Sequence, residues 1–457
     1  MSDADLTAAE SAAPRARANA LEVVLGRRVW RAPLLIGSVF VALVVTVYLG
    51  SVINPTGHLH GLPVLLVDED TGASAGGRHV EVGAKVADAL ERTPAVSGRL
   101  QLRPVSLAEA RGRMDEGKAY ATIVLPATLS RSVLLAAGAG AEGSAPAVAT
   151  IALEENQRLG SLGVNLAAGV LTPALTKISE QIGSEISPSA SAATRANPVL
   201  AAHLTDPLAL RTVTYRPLPD HSALGLSAFY IALLSILAGF IAGTLINNSI
   251  DSVLGYASTE MGPRWKHRRP IAISRRQTFL AKWTTAALVV PVLTAIVMAI
   301  AVGALGMYAP NALLLWALGT LAALMIATGT LALLAVFGSI GQLLAMLLLI
   351  YLSLASSGGT VPPQALPGIF NLVGKVEPLR QVLGGTRAII YFDARGSAGL
   401  THSLIVIACE LIFWALVGLL VSGWYDRRKL DRIRPETLAA VDRAIERGAA
   451  EQAGADV

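Results

Sequence analysis

Residues 33–53 read PLLIGSVFVALVVTVYLGSVI, a run with no charged side chain. A helix needs about 20 consecutive apolar residues to cross a bilayer, so this stretch reads as a membrane span. Five further apolar runs, at 222–246, 284–307, 312–334, 336–356 and 401–424, crowd into the second half of the chain. Between the first run and the others lie residues 54–220, whose patterning is that of a soluble domain. The reading is an α-helical integral membrane protein with six transmembrane helices and an extracytoplasmic α/β domain inserted between helices 1 and 2. Composition agrees: hydrophobic residues are 53% of the chain and charged residues 15%, against roughly 25% charged in soluble proteins. A signal-peptide core is shorter, about 7–15 residues, and ends at a small-residue cleavage site. The first run continues instead into Asn54-Pro55-Thr56, and a retained anchor is expected.

Orientation follows from the basic residues, since short basic flanks stay in the cytoplasm. Arg15, Arg17, Arg27, Arg28 and Arg31 precede the first span. The 247–283 loop carries Arg264, Lys266, Arg268, Arg269, Arg275, Arg276 and Lys282 against only Asp251 and Glu260, and Arg427, Arg428, Lys429, Arg432 and Arg434 follow the last span. Six crossings put all three clusters on one face. The expected division is a cytoplasmic basic amphipathic segment 1–32, helix 1 at 33–53, the extracytoplasmic domain 54–220, and a five-helix membrane domain 221–424. That domain contains the cytoplasmic loop 247–283 and an outer hairpin 357–400, and a cytoplasmic tail, 425–457, ends the chain. The expected location is the plasma membrane with both termini cytoplasmic. Membrane lipids are expected partners, since residues 15–32 can form a basic helix with Val23, Val24 and Trp30 in the interface.

Within 54–220, strands are expected at 62–68, 99–105, 119–126, 147–154 and 211–216, and helices at 79–92, 107–116, 127–137 and 156–186, the last interrupted near Pro173. Strands alternating with helices predict a mostly parallel or mixed sheet. The helix 156–186 carries Leu159, Leu162, Leu166, Val170, Leu171, Leu175 and Ile178 as one apolar stripe, either core or a packing face for another subunit. The acidic triplet Asp68-Glu69-Asp70 reads as a strand-to-helix turn in preference to a metal site.

Little points to catalysis. The chain has one cysteine, Cys409, which rules out an intrachain disulfide framework. Its histidines lack metal-ligand spacing, and no G-x-x-x-x-G-K-[ST] run is present for a nucleotide. No enzymatic activity, cofactor, metal or nucleic-acid partner is expected.

Two features bear on mechanism. Residues 357–395 join Gly358-Gly359, Pro362-Pro363 and Pro367 to a helical stretch opened by Pro378 and Arg380. Such backbone is tolerated at membrane depth only where it is buried in protein or lines a cavity. A re-entrant or interfacial hairpin at the outer mouth of a pathway is expected, with these residues as its gate. Glu410 lies about ten residues into the last span, where a charge is costly. It is expected to hydrogen-bond to Gln342, Asn247, Asn248, Thr328 or Thr330, or to carry protons.

In its layout, in VLLVDED (64–70), in YATIVLPATLSRSVL (120–134) and in SSGGTVPPQALPGIF…EPLRQVLGGTR (356–387), the chain resembles the YhgE/Pip family within the wider set of ABC-type-2-like membrane proteins. The resemblance implies a permease-like subunit, a homodimer, working with a separate ATP-binding subunit or with the proton gradient. Its cytoplasmic coupling elements would be 15–32 and 247–283, making Arg27, Arg28, Arg264, Arg268 and Arg269 candidate coupling residues. Two functions follow as expectations: export of a hydrophobic or amphipathic substrate, or a non-transporting scaffold or receptor for a secretion or envelope-assembly machine.

Overall fold

The computed structural model describes residues 27–432 apart from 76–77, 139–148, 191, 197, 258, 262–263, 267, 269 and 431. Most of the expected amphipathic segment and the tail beyond Arg432 lie outside these residues. Residues 1–50 and 51–457 form two compact units. In the first, helix α1 (Arg27–Val52) runs unbroken from the basic cluster into the apolar run. Arg27 and Arg28 are therefore the first turn of the span's own helix and not part of a separate surface helix. Leu34, Ile36 and Val39 are exposed along α1, as suits side chains whose solvent is lipid.

The second unit opens with the α/β layer. Strand β1 (Leu62–Asp68) is apolar on both faces and lies inside a five-stranded sheet. Beside it run β4 (Leu100–Pro104) and β5 (Ala121–Leu125), both parallel to it. β6 (Ala149–Glu155) is antiparallel to β5, and β7 (Leu208–Thr214) is parallel to β6. The mixed sheet is thus as expected. The helix expected from 79 begins later, at α2 (Val82–Arg92), because residues 78–80 form β3 against β2 (Ala73–Ala75). Helices α3 (Leu107–Asp115), α4 (Leu129–Gly138) and α5 (Ser161–Ile186) belong to the same layer, with shorter helical pieces at Pro94–Ser97, Ala192–Ala196 and Pro198–Thr205. Along α5, Leu166, Val170, Leu171, Leu175 and Ile178 are buried with β1 and β5 in one cluster, so the stripe is core. Asp70 accepts from the Ser130 and Gly83 amides at 3.0 and 2.9 Å. Burial opposes its charge, but these bonds and that of the Ser130 hydroxyl hold it below the usual carboxylate range, so this acid caps helices.

The bundle follows. Helices α6 (Ser227–Val253), α7 (Arg275–Met298, continued to Ala304), α8 (Ala312–Phe337) and α12 (Leu400–Arg427) are each long and apolar enough to cross a membrane, as is α1. The expected sixth crossing is a shorter apolar helix, α9 (Ile340–Ala345), continued to Ser356. Five helices thus meet the full length on composition. The chain is a multi-pass membrane protein on this ground. α8 is the central helix: Gly239 of α6 faces the Ala323 carbonyl, with no room for a Cβ, and Gly243 faces Ala327 and Thr330. The Gly-x-x-x-Gly spacing lets two backbones meet and dispersion replace the missing hydrophobic drive between helices.

The expected loop 247–283 contracts to 254–274, because α6 and α7 extend past the apolar runs. Their polar ends pair with each other: Lys282 Nζ meets Asp251 Oδ1 and Asn247 Oδ1, each at 2.7 Å. Asp251 also takes Arg432 at 2.8 and 3.2 Å, and Asp426 accepts from the first amides of α7, Arg275 and Arg276.

Candidate functional site

The segment 357–391 is built into both layers. After Ser356 the chain turns at Gly358, whose φ of +72° suits glycine and whose Cβ would strike Pro363. Gly359 abuts the Phe229 ring of α6. Pro362 and Pro363 begin a single turn, after which Ala365 and Leu366 enter the core of the α/β layer. Pro367 starts the short helix α10 (Gly368–Val373). Pro378 is the first residue of α11 (Pro378–Tyr391), where its missing N–H costs nothing. Glu377 caps α11, accepting from the Leu379 and Arg380 amides at 2.8 Å. α11 is buried against α6, α8 and α12. α10 and α11 follow one another as two helical arms, the second packed inside the bundle.

Arg380 holds the turn together. Its Nε donates to the Ser356 carbonyl at 3.0 Å and its Nη1 to Asn371 Oδ1 at 3.0 Å, while its Nη2 is buried without a partner. Two turns along α11, Arg387 donates through Nη2 to the Gly359 and Gly358 carbonyls at 3.2 and 3.5 Å. Its Nε is likewise buried and unpaired. Burial lowers the pKa of both guanidinium groups, which nonetheless stay charged. Burial also pushes the neighbouring Glu377 carboxyl up to about 8, against the pull of the α11 amides and of the Arg380 charge. Among the described residues no carboxylate forms an ion pair with Arg380 or Arg387. Arg387 was not singled out by its sequence; the signal available was its place two turns beyond Arg380 on one helix.

The α/β layer closes over this turn. Arg158 donates to the Tyr391 and Pro217 carbonyls at 2.9 and 3.2 Å. Asp115 receives Arg216 at 3.0 Å and Arg395 at 3.9 Å, and Ser397 donates to Glu116 at 2.9 Å. A cleft remains at the junction, lined by Gly160, Ser161 and Gly163 from one side and Gly358, Gly359 and Thr360 from the other.

Other expected site residues are not brought here. Glu410 is half-buried on α12, and its Oε1 has no hydrogen-bond partner among the described residues. Its expected partners are engaged elsewhere: Gln342 with Thr244, Asn247 with Lys282 and Asn248, Thr328 and Thr330 with carbonyls of their own helix. Of the coupling candidates, Arg268 is exposed, Arg269 is outside the described residues, and only the backbone of Arg27, Arg28 and Arg264 is described. Gly72–Gly76 reads G-A-S-A-G, Ser74 Oγ lies 3.4 Å from His79 Nδ1, and His79 Nε2 lies 3.3 Å from Glu81. This trio sits exposed on the β2–β3 pair, whereas a nucleophile elbow needs a strand-to-helix turn beside an oxyanion hole.

A family model described as "Protein of unknown function (DUF3533)" matches residues 33–414. Among solved structures, a domain described as that of an ABC type-2 transporter from Thermotoga maritima MSB8 is 20% identical, spanning 34% of this chain and 85% of that one. The TM-score of that match is 0.23. No curated protein matches the chain.

Proposed function

The chain belongs to the DUF3533 family of proteins of unknown function, and we propose that it acts as a permease-like membrane subunit exporting a hydrophobic or amphipathic substrate. The α10–α11 hairpin carries this reading. A helix too short to cross, walled in by three long apolar helices, leaves backbone ends and two guanidinium groups at membrane depth. Such an arrangement is tolerated where protein or a pathway surrounds it. In this reading the helix 340–356 makes the sixth crossing, and both termini and the 254–274 loop are cytoplasmic. The α/β layer faces outward from the plasma membrane, and no enzymatic step takes place in the chain. The close α6–α8 contact at Gly239 leaves no passage between those two helices, and in this reading the pathway lies between two copies in a homodimer. The resemblance to YhgE/Pip proteins supports this arrangement, with a separate ATP-binding subunit or the proton gradient as energy source.

The same close packing favours one alternative, a non-transporting scaffold whose outer layer docks a secretion or envelope-assembly machine. Inverted membrane vesicles separate the two. Vesicles containing the protein should accumulate a fluorescent amphipathic probe when supplied with ATP or an imposed proton gradient. Equal accumulation in vesicles lacking the protein, across cationic, neutral and anionic probes, overturns the permease.

A further inference from the structure

We propose that the segment following α12, which carries Leu430 and Arg432, is a releasable strap across the ends of α6 and α7 that flank the 254–274 loop, with Arg432 as its pin. α12 ends in a tight reversal. The Lys429 amide donates to the Asp426 carbonyl and the Leu430 amide to the Tyr425 carbonyl, both at 3.1 Å. These are the two bonds by which a left-handed residue ends a helix, and glycine is the usual occupant of that position. Here it is Lys429, with a φ of +53°, where a Cβ crowds the backbone. The strap is bent back through a conformation that its own residue resists, so contacts beyond the bend hold it down.

Those contacts reach α6, the loop and α7. Arg432 binds Asp251 of α6 through both terminal nitrogens, at 2.8 and 3.2 Å, and its guanidinium lies 4.6 Å from the centre of the Tyr256 ring. The Leu430 carbonyl accepts from Arg275 Nε of α7 at 2.9 Å. Arg432 is the dispensable charge of this cluster. Lys282 and Asp251, with side chains 7% and 13% exposed, already form a balanced pair at 2.7 Å, so the third charge leaves without stranding either. The Arg432 side chain is itself 27% exposed, which lets water and salt compete for it. Asp426, by contrast, accepts from the Arg275 and Arg276 amides and serves as the hinge, keeping the end of α12 on α7 while the strap swings. Beneath it, Thr278 and Phe279 of α7, Ala335 of α8 and Ser422 of α12 line a cavity of about 20 Å³, with Arg432 in its wall. That is room for a single water, and release of Arg432 opens it. The device is independent of whether the protein exports anything and of which way it faces.

The test follows a thiol at Ser422, which is 2% exposed. In the purified full chain carrying Cys409→Ala, Ser422→Cys should react slowly with a water-soluble maleimide. Raising sodium chloride from about 0.05 M to about 0.5 M screens exposed ion pairs and should speed the reaction severalfold. Arg432→Gln should raise the low-salt rate about tenfold, the worth of one charge-assisted hydrogen bond, and remove the salt effect. Its melting temperature should stay close to the parent's, because the Asp251–Lys282 pair is intact. Lys429→Pro carries the same test while leaving Arg432 in place. Proline cannot take a positive φ, so the bend is lost and labelling should rise as far. Labelling as slow in both variants as in the parent, or independent of salt in the parent, overturns the strap. Failure of both variants to fold overturns it as well, since the segment would then belong to the packing of the bundle.

Discussion

Glu377, Asp251 and Glu410 are three enclosed acids in three different electrostatic situations. Glu377 accepts two amide bonds, yet burial outweighs them and raises its pKa to about 8. The folded state thus holds the proton more tightly than the unfolded chain, whose value is near 4.5. Stability from this group is fully present below that unfolded value and is lost as pH rises through about 8. Thermal melts across this window should show the wild type declining with pH and Glu377→Gln declining much less. Asp251 compensates Lys282, which is 5% exposed. Removing one partner of a buried pair leaves a charge stranded at a cost of about 3–5 kcal/mol. Asp251→Ala should therefore destabilise strongly and Lys282→Met mildly, because Arg432 still pairs with Asp251; denaturant melts in detergent check both. Glu410 has no bond through Oε1 to lose. Glu410→Gln should leave stability within about 0.5 kcal/mol. If a proton gradient drives export, the same change should stop uptake by vesicles energised that way. Full uptake under an imposed gradient would remove Glu410 from the coupling path.

At the level of elements, glycines with opposite surroundings make opposite predictions. Gly239 of α6 lies on the Ala323 carbonyl of α8, so Gly239→Leu forces the central pair apart. A cost of about 1–3 kcal/mol is expected from overpacking, read as a lowered unfolding midpoint. Gly169, inside α5, has nothing within 4 Å of an added Cβ. Gly169→Ala should stabilise by about 0.5–1 kcal/mol through helix propensity. Both residues look alike in sequence, and only their neighbours separate them. The elements themselves were more legible. LPVLLVD and YATIVL stood out as buried strands because a run apolar on both faces has few other homes. Ser106 caps α3, with the Glu109 amide donating to Ser106 Oγ at 3.3 Å. The helix ends near Asn247, Asp251 and Lys282 are not legible, since hydropathy ends a span at the first polar residue and is blind to a partner on the next helix.

For the whole molecule, the expected topology is testable without any substrate. In a Cys409→Ala background, Ser74→Cys should react with an impermeant thiol reagent from outside intact cells. Arg268→Cys, also exposed, should react only after permeabilisation. The reverse pattern would invert the molecule and move the α10–α11 hairpin to the inner face. The ties between Asp115 and Arg216 and Arg395, and between Arg158 and Tyr391, join the α/β layer to the bundle at several points.

Local chemistry sufficed to write the order of the parts. Apolar run length, strand and helix periodicity and the basic clusters are near-neighbour properties, and they yielded the single span, the α/β layer and the later apolar helices. The same signals drew attention to Gly358, Gly359 and Arg380. Folding determined what these residues touch. Arg387 and the start of α5 are more than two hundred residues apart, and no local pattern reveals that Arg387 comes to rest beside Gly160. Likewise the apolar stripe on α5 is equally consistent with a core and with a subunit interface until the sheet is seen to cover it. Whether a charge is balanced, and whether a face is buried, depends on long-range contacts that exist only once the chain has closed on itself.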